Sequence, residues 1–440
     1  MLLDPLTGKA LLTGASLAGA LRSYLREREF GYGQTGQKGK AENLPLYALL
    51  FGGLRESEAG EQSPLITYDA FSNPKPEIEL RDGVKLDEKT RTAQDKKKFD
   101  MELLAAGTTF PIRVELLVIQ NESQEAHDRE QRLRQGLALA LQGLERGEIP
   151  LGGRKRRGLG QGRVKGWRVY CYNMVKPNDL INWLDNAGEA KAGDNIAALL
   201  DVDLSQFEDK RCSFDIKATF ALDSSLLIRS GFGQANAPDM VHLHSKREQG
   251  DVPILSGTSL AGALRARAVK ITNTLGKGQH LVKAMFGPMI ENNNDTPQAS
   301  RLVVGECEIE NGLANLVQNR VKIDRFTGGS YPGALFNQQP LFGRPNGQTR
   351  LTIKLSLRQG DKNFEAEIGL LLLLLKDLWT GDLPLGGEAG VGRGRLQGLE
   401  VELKQDLEIW SITTSGQELQ IEGSQETLEN FVKRLQEVTE

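Results

Sequence analysis

Residues that usually carry metal or redox chemistry are scarce here: 440 residues include three cysteines and four histidines. Cys171, Cys212 and Cys307 are far apart, odd in number and without a CxxC spacing. That points away from a disulfide framework or a zinc cluster and fits a reducing cytoplasm. His242 and His244, in DMVHLH, would share one face of a strand, but Asp239 is the only carboxylate close by, which makes no zinc set. Long hydrophobic runs are missing too. The longest, Ile368–Leu375, falls far short of the roughly 20 residues that span a bilayer and reads as one buried helix, so no membrane partner is expected. MLLDPLTGK at the start lacks a basic stretch followed by an apolar core, so no secretory signal is read there. Nor does charge of one sign dominate: 55 Lys+Arg against 58 Asp+Glu leave a net charge of -3, and any attraction to a polyanion must be local.

What the chain has is glycine, 49 residues gathered at a few loops, and internal repetition. Leu12–Arg22 reads LTGASLAGALR and Leu255–Arg265 reads LSGTSLAGALR, identical at nine of eleven positions. Three further pairs follow in the same order: FGG at Phe51 and FG at Phe286, DGVKLD at Asp82 and NRVKID at Asn319, LGG at Leu151 and at Leu385. Colinear matches of this kind mark a tandem duplication, and the length allows two domains with separate cores.

Each copy opens a helix with Ser16 or Ser259 placed to cap it, and with an apolar face of Leu17, Leu21 and Leu25, or Leu260 and Leu264. Alternating stretches at Leu65–Phe71, Thr109–Ile119, Arg301–Ile309 and Thr349–Leu357 read as strands. Second helices are expected at His127–Glu145 and Glu365–Trp379, and last strands at Gly162–Tyr170 and Gly394–Leu403. Strand, helix, strands, helix, strand is the ferredoxin-like, α+β pattern. The second copy begins with an obvious first strand, CSFDIKATFAL (Cys212–Leu222); the first copy has none. Either the natural start lies upstream or the strand is borrowed from elsewhere. The expected organisation is a first repeat at 1–174, a connector at 175–210 with a short helix at Ile196–Leu200, a second repeat at 211–404 and an acidic, solvated hairpin and helix at 405–440.

The glycine-rich turns carry the most chemistry. Leu151–Arg168, LGGRKRRGLGQGRVKGWR, holds seven basic residues, six glycines and no acid. It matches neither GxxxxGK[ST] nor a dinucleotide fingerprint in its proper context. Glycines let backbone N–H groups approach phosphates, and Arg154, Lys155, Arg156, Arg157 and Arg163 could neutralise several of them; the alternative is a solvated basic loop. The second turn, LGGEAGVGRGR, offers Arg393 and Arg395 but has Glu388 where the first has Arg154, so its RNA contact should be weaker. Arg22 and Arg265, after the repeated helix start, fit either an anion site or a surface ion pair.

Two insertions sit at matching places. Arg81–Phe110, with Lys85, is charged and too long for a turn. Asn319–Gly343 sets Arg320, Lys322 and Arg325 beside Phe326, Tyr331, Phe336 and Phe342. Cations among aromatics suit single-stranded nucleic acid, although Phe336 and Phe342 are expected to pack on their own domain.

GxSLAGALR, FGG, the stretch from DGVKLD to KFDMELLAAGTTF and the LGGRKRRGLGQGRV loop together resemble the RAMP-superfamily backbone subunits of type III CRISPR effector complexes. The fused double copy is similar to the two-repeat subunit of type III-D-like complexes. The resemblance spans both halves and implies two tandem ferredoxin-like domains related to the RNA-recognition motif. Their palms would lie along a guide RNA, and the two insertions would act as thumbs that flip a target base at each six-nucleotide step. It implies as partners guide (CRISPR) RNA, single-stranded target RNA and other type III effector subunits. It also implies target cleavage by an aspartate after the first strand. Asp239 stands at that place in the second repeat, with Lys246 or His242 as helpers, whereas Asp4 belongs to the DPLTG turn. A carboxylate there suits general-base or metal-assisted activation of a ribose 2′-OH; Mg2+ or Mn2+ would serve, although no motif supplies a ligand set. The rival readings are a purely architectural RNA-binding subunit and a guide-processing endoribonuclease.

Overall fold

The computed structural model describes residues 2–34, 44–53, 62–87, 90, 92–119, 123–230, 238–289, 296–360, 362–416 and 418–438. It starts with a tight turn in which the Asp4 carboxylate accepts the backbone N–H of Leu6 and Thr7 at 3.3 and 3.1 Å, local bonding that suits aspartate to turns. Strand β1 (Leu11–Leu12) and helix α1 (Gly14–Phe30) follow. The capping oxygen is that of Thr13, which accepts the Ser16 N–H at 3.3 Å; Ser256 does the same for Ser259 at 3.3 Å. Ser16 and Ser259 are therefore not the caps but the capped residues, because each helix starts earlier than the motif suggests.

The first half continues with α2 (Leu46–Phe51), β2 (Leu65–Thr67), β3 (Ala70–Phe71), an arm of β4 (Ile78–Leu86) and β5 (Ala93–Leu104), β6 (Val114–Leu116), α3 (Gln124–Glu145) and β7 (Trp167–Val169). Leu17, Leu21 and Leu25 are at most 1% exposed and join Leu137 and Leu141 of α3 in one core; each such burial contributes about 2 kcal/mol. The stretch read as a connector folds onto this half as α4 (Pro177–Leu184), β8 (Lys191–Gly193) and α5 (Ile196–Leu199). Strand β8 pairs with β7, while Ile196, Leu200, Leu204 and Phe207 join the first core.

The second half comprises β9 (Ser213–Leu222), β10 (Ser225–Leu226), β11 (Arg229–Ser230), β12 (Met240–His242), β13 (His244–Arg247), β14 (Gly250–Leu255), α6 (Gly257–Thr274) and α7 (His280–Phe286). After β15 (Leu302–Val304) and β16 (Cys307–Glu310) comes a second arm, β17 (Gln318–Ile323) and β18 (Ser330–Gln339). It closes with β19 (Leu341–Phe342), β20 (Arg350–Arg358), α8 (Phe364–Trp379), β21 (Leu396–Gln405), β22 (Glu408–Ser415), β23 (Glu418–Glu422) and α9 (Gln425–Glu437). One sheet runs β13-β14-β16-β20-β9-β21-β22-β23, with β15 also on β20. Alternation along β9 buries Phe214, Ile216, Ala218 and Phe220 to 2% exposure or less in the second core. The acidic tail is not merely a solvated face: Trp410, Phe431 and Leu435 are part of that core, and only its outer side carries the acids.

Both halves thus layer helices on antiparallel strands, as two ferredoxin-like domains in tandem. They differ at one point. Where β9 joins β20 to β21, the first half has two separate pairs, β2-β6 and β7-β8, and this is why Thr109–Ile119 and Gly162–Tyr170 keep only three strand residues each. Among the described residues, no helix is long and apolar enough to cross a membrane.

Candidate nucleic-acid interface

The two glycine-rich turns share one backbone. Leu151 N–H donates to Gly160 C=O at 2.9 Å and Leu385 N–H to Gly394 C=O at 2.9 Å. Arg154 and Glu388 both sit in the left-handed region (φ 53° and 63°), each followed by a single 3-10 turn. A Cβ on Gly160 or Gly394 would lie 1.8 Å from the carbonyl oxygen of Leu151 or Leu385, so only glycine closes the turn. The same scaffold therefore presents a cation in one repeat and an anion in the other.

The first turn lies against the second domain. Gly257, the first residue of α6, approaches so closely that a Cβ there would meet the Arg157 carbonyl oxygen at 2.4 Å. Arg157 Nη1 donates to Leu302 C=O at 3.0 Å and to Ser300 Oγ at 3.4 Å. Burial, then the charges of Arg265 and Arg154, pull its pKa below the usual guanidinium range. Arg156 is pushed down to about 10 by burial and by Arg358, which itself pairs with Glu27 at 3.2 Å and lies over the Tyr32 ring at 4.3 Å. Arg154, Lys155 and Arg163 are exposed, and Arg154 stands 4.8 Å over the ring of Phe99 on the first arm. Among the described residues none of these five cations is in an ion pair. Burying Arg156 and Arg157 with no nearby carboxylate but Glu27, which Arg358 already engages, is costly, and an added anion would relieve that cost.

The second turn is neutralised internally. Glu388 bonds Arg393 at 2.8 Å, pairs with Arg320 at 3.5 Å and accepts from Gln338 of the second arm. Although burial pulls the other way, Gln338 and Arg393 hold its carboxyl below the usual range. Arg393 is 4% exposed and also reaches Ser225 at 2.8 Å and Gln318 at 2.6 Å. Arg393 and Arg320 are therefore struts between turn and arm, not open phosphate ligands. Arg395, Lys322 and Arg325 remain exposed. Lys322 lies 4.6 Å over Tyr331 and Phe326 is fully exposed, whereas Phe336 and Phe342 are half-buried on their own domain.

Other expected residues are dispersed. Arg265 donates to Gly287 C=O at 3.0 Å, tying α6 to the end of α7, and Arg22 leans toward Tyr47 at 6.0 Å; both stand beyond the second turn of their helices, not at an anion-binding N-terminus. Ser16 is exposed, Ser259 half-buried, and Lys85 exposed on β4. His242 is 1% exposed, accepts the Ile228 N–H at Nδ1 (3.2 Å) and meets Ile254 C=O through Nε2 (3.1 Å). Burial, reinforced by His244, pushes it down to about 3, so it is a neutral core group and no helper in proton transfer. Lys246 pairs with Glu77 at 2.6 Å. Exposed Asp239 donates its N–H to Asn337 Oδ1 at 2.7 Å and accepts the Asn337 N–H on Oδ2 at 2.9 Å, which fixes it at the root of the second arm beside the Gln338–Glu388 contact.

Sequence reasoning missed the junction that aims the first arm. Arg81, 6% exposed, donates to Glu79 at 2.5 Å, to Ser245 Oγ at 2.8 Å and to Glu306, which also holds Arg247 at 2.8 Å. These partners lie as much as 225 residues apart in the chain, so no local pattern signals them. The one available hint was the matching position of Arg81 and Gln318, each just ahead of the repeated VK motif.

The RAMP superfamily model matches residues 3–164 and 219–397, the two copies already delimited by the repeated motifs and by the two cores. No curated protein matches the sequence. With duplicated ferredoxin-like domains, glycine turns at equivalent places and that match over most of its length, the chain belongs to the RAMP superfamily, CRISPR-associated proteins that handle RNA.

Proposed function

We propose that this chain is a backbone subunit of a type III CRISPR ribonucleoprotein, binding guide RNA through its first glycine turn and dividing the guide–target duplex with its two arms. The observation that carries the reading is the set of five cations at Arg154–Arg157 and Arg163, none in an ion pair among the described residues, on a turn whose Arg156 and Arg157 pack against the second domain. A phosphate chain supplies the missing charge. Ser16, Lys85, Arg22, Ser259, Arg265, Lys322, Arg325 and Arg395 are secondary contacts in this reading, alongside neighbouring effector subunits and target RNA.

Target cleavage is assigned to Asp239. Oδ2 is anchored by Asn337, leaving Oδ1 to take the proton of a ribose 2′-OH. The 2′-oxygen then attacks the adjacent phosphorus, the bond to the 5′-oxygen breaks and that oxygen is protonated, leaving a 2′,3′-cyclic phosphate and a 5′-hydroxyl. The described residues bring together no three metal-ligating side chains, so Mg2+ or Mn2+ would need RNA oxygens to complete its shell. The Asp239–Asn337 pair also favours a second reading, a purely architectural aspartate. Asp239→Ala in the assembled complex decides: loss of this subunit's cuts with target binding retained supports catalysis, and an unchanged cleavage ladder leaves the architectural role.

A further inference from the structure

We propose that Arg344 and Arg350 form a phosphate-binding site, the open anion site of the second repeat. The glycine turn of that repeat is closed to anions, because Glu388 engages Arg393 and Arg320. A place beside it on the same sheet is not. Leu222 N–H donates to Thr349 C=O at 3.0 Å and Asp223 N–H to Arg395 C=O at 3.2 Å, so segment 343–350 and the end of the glycine turn flank one end of β9. There a cavity of about 560 Å³ is lined by Glu310, Asn311, Arg344, Gln348 and Arg350, all of them exposed.

Each guanidinium is held by a single nitrogen. Arg344 Nε donates to Asn311 C=O at 3.0 Å and Arg350 Nε to Gly347 C=O at 3.1 Å. Among the described residues their terminal nitrogens have no protein partner, and neither side chain is in an ion pair. The loop that carries them is pinned from beneath. Thr349, fully buried, accepts the Arg344 N–H on its hydroxyl at 2.8 Å and donates that hydroxyl to Asn311 C=O at 2.9 Å. Asn311 Nδ2 donates to Gln348 C=O at 3.3 Å. A guanidinium tethered through Nε keeps both terminal N–H groups for a forked contact with phosphate oxygens, and less side-chain freedom remains to be lost on binding. Glu310 stands directly opposite Arg350 across β16 and β20 yet pairs with neither arginine. Two cations against that one acid leave the lining positive. Phosphate recognition follows from this geometry alone; only the identification of the phosphate with RNA backbone rests on the function proposed above.

The test compares the full chain with an Arg344→Ala, Arg350→Ala double variant and with Glu310→Gln, using single-stranded RNA and inorganic pyrophosphate as probes. If RNA supplies the phosphate, the double variant should flatten the slope of log K against log salt by about 0.7–1.4, the contribution of one or two phosphates on a single strand. If a free phosphate is the ligand, that slope stays parental and calorimetry should show pyrophosphate affinity falling about tenfold or more. In either case Glu310→Gln should tighten the probe that binds by about threefold, because a like charge leaves the wall, a gain that misfolding does not imitate. A double variant that treats both probes as the parent does, or a Glu310→Gln chain that binds neither more tightly, overturns the proposal. A parental slope after replacing Arg154, Lys155 and Arg163 by alanine contradicts the proposed function instead, and leaves this site to be decided by pyrophosphate.

Discussion

Replacing Arg81 by leucine removes the cation that ties the first arm to the second domain. Its side chain is 7% exposed, against 9% for Glu306 and 11% for Glu79, so solvent screens the pairs little. Removing one member of a buried pair costs about 3–5 kcal/mol. Here Glu306 keeps Arg247 at 2.8 Å and Glu79 keeps Ser245 at 2.8 Å, which places Arg81→Leu at the lower end, about 3 kcal/mol. For a domain of this size that is a fall in Tm of roughly 6–12 °C. The assay is urea unfolding in a double-mutant cycle with Glu306→Gln, where neighbours in one network should couple by at least about 1 kcal/mol. A coupling below about 0.5 kcal/mol would show that the two side chains act independently and would refute the argument.

Other expectations follow from the same geometry. Glu388→Gln should cost about 1–3 kcal/mol at neutral pH, because Arg393 keeps only neutral partners. Since the folded carboxyl lies below its usual value, its contribution is present above the unfolded pKa of about 4.3 and lost as pH falls through the lower folded value; the variant should flatten stability between about pH 5 and 3, and an unchanged acid limb would contradict the pairing. His242→Ala should cost about 2–4 kcal/mol by emptying a core site and stranding the Ile228 N–H, yet leave the pH profile of RNA cleavage without a missing inflection near 6.5. Loss of such an inflection would return the imidazole to the chemistry.

The duplication was the legible part of the fold. LTGASLAGALR and LSGTSLAGALR announce one helix twice, and the structure repeats it down to its Thr13 and Ser256 caps. The separate pairs β2-β6 and β7-β8 were also foreseeable, because no stretch between Met1 and Leu12 alternates as CSFDIKATFAL does. The connector was not legible: Ile196 and Phe207 find their apolar surroundings on α3 and its neighbours, a tertiary fact that local composition does not hold. Charge was the least legible property. Seven basic residues in one loop reveal neither that Arg156 and Arg157 turn inward against the second domain nor that Glu388 silences Arg320 and Arg393. Partner choice is decided by what lies opposite in space, and sequence separation conceals it.

The measurement that bears most directly on the central claim is the salt dependence of single-stranded RNA binding. With Arg154, Lys155 and Arg163 replaced by alanine, the slope of log K against log salt should flatten by about 2, the contribution of three phosphate contacts to a single strand, whereas Arg395→Ala in the other repeat should move it by less than about 1. A triple variant whose slope equals that of the parent chain would contradict the account.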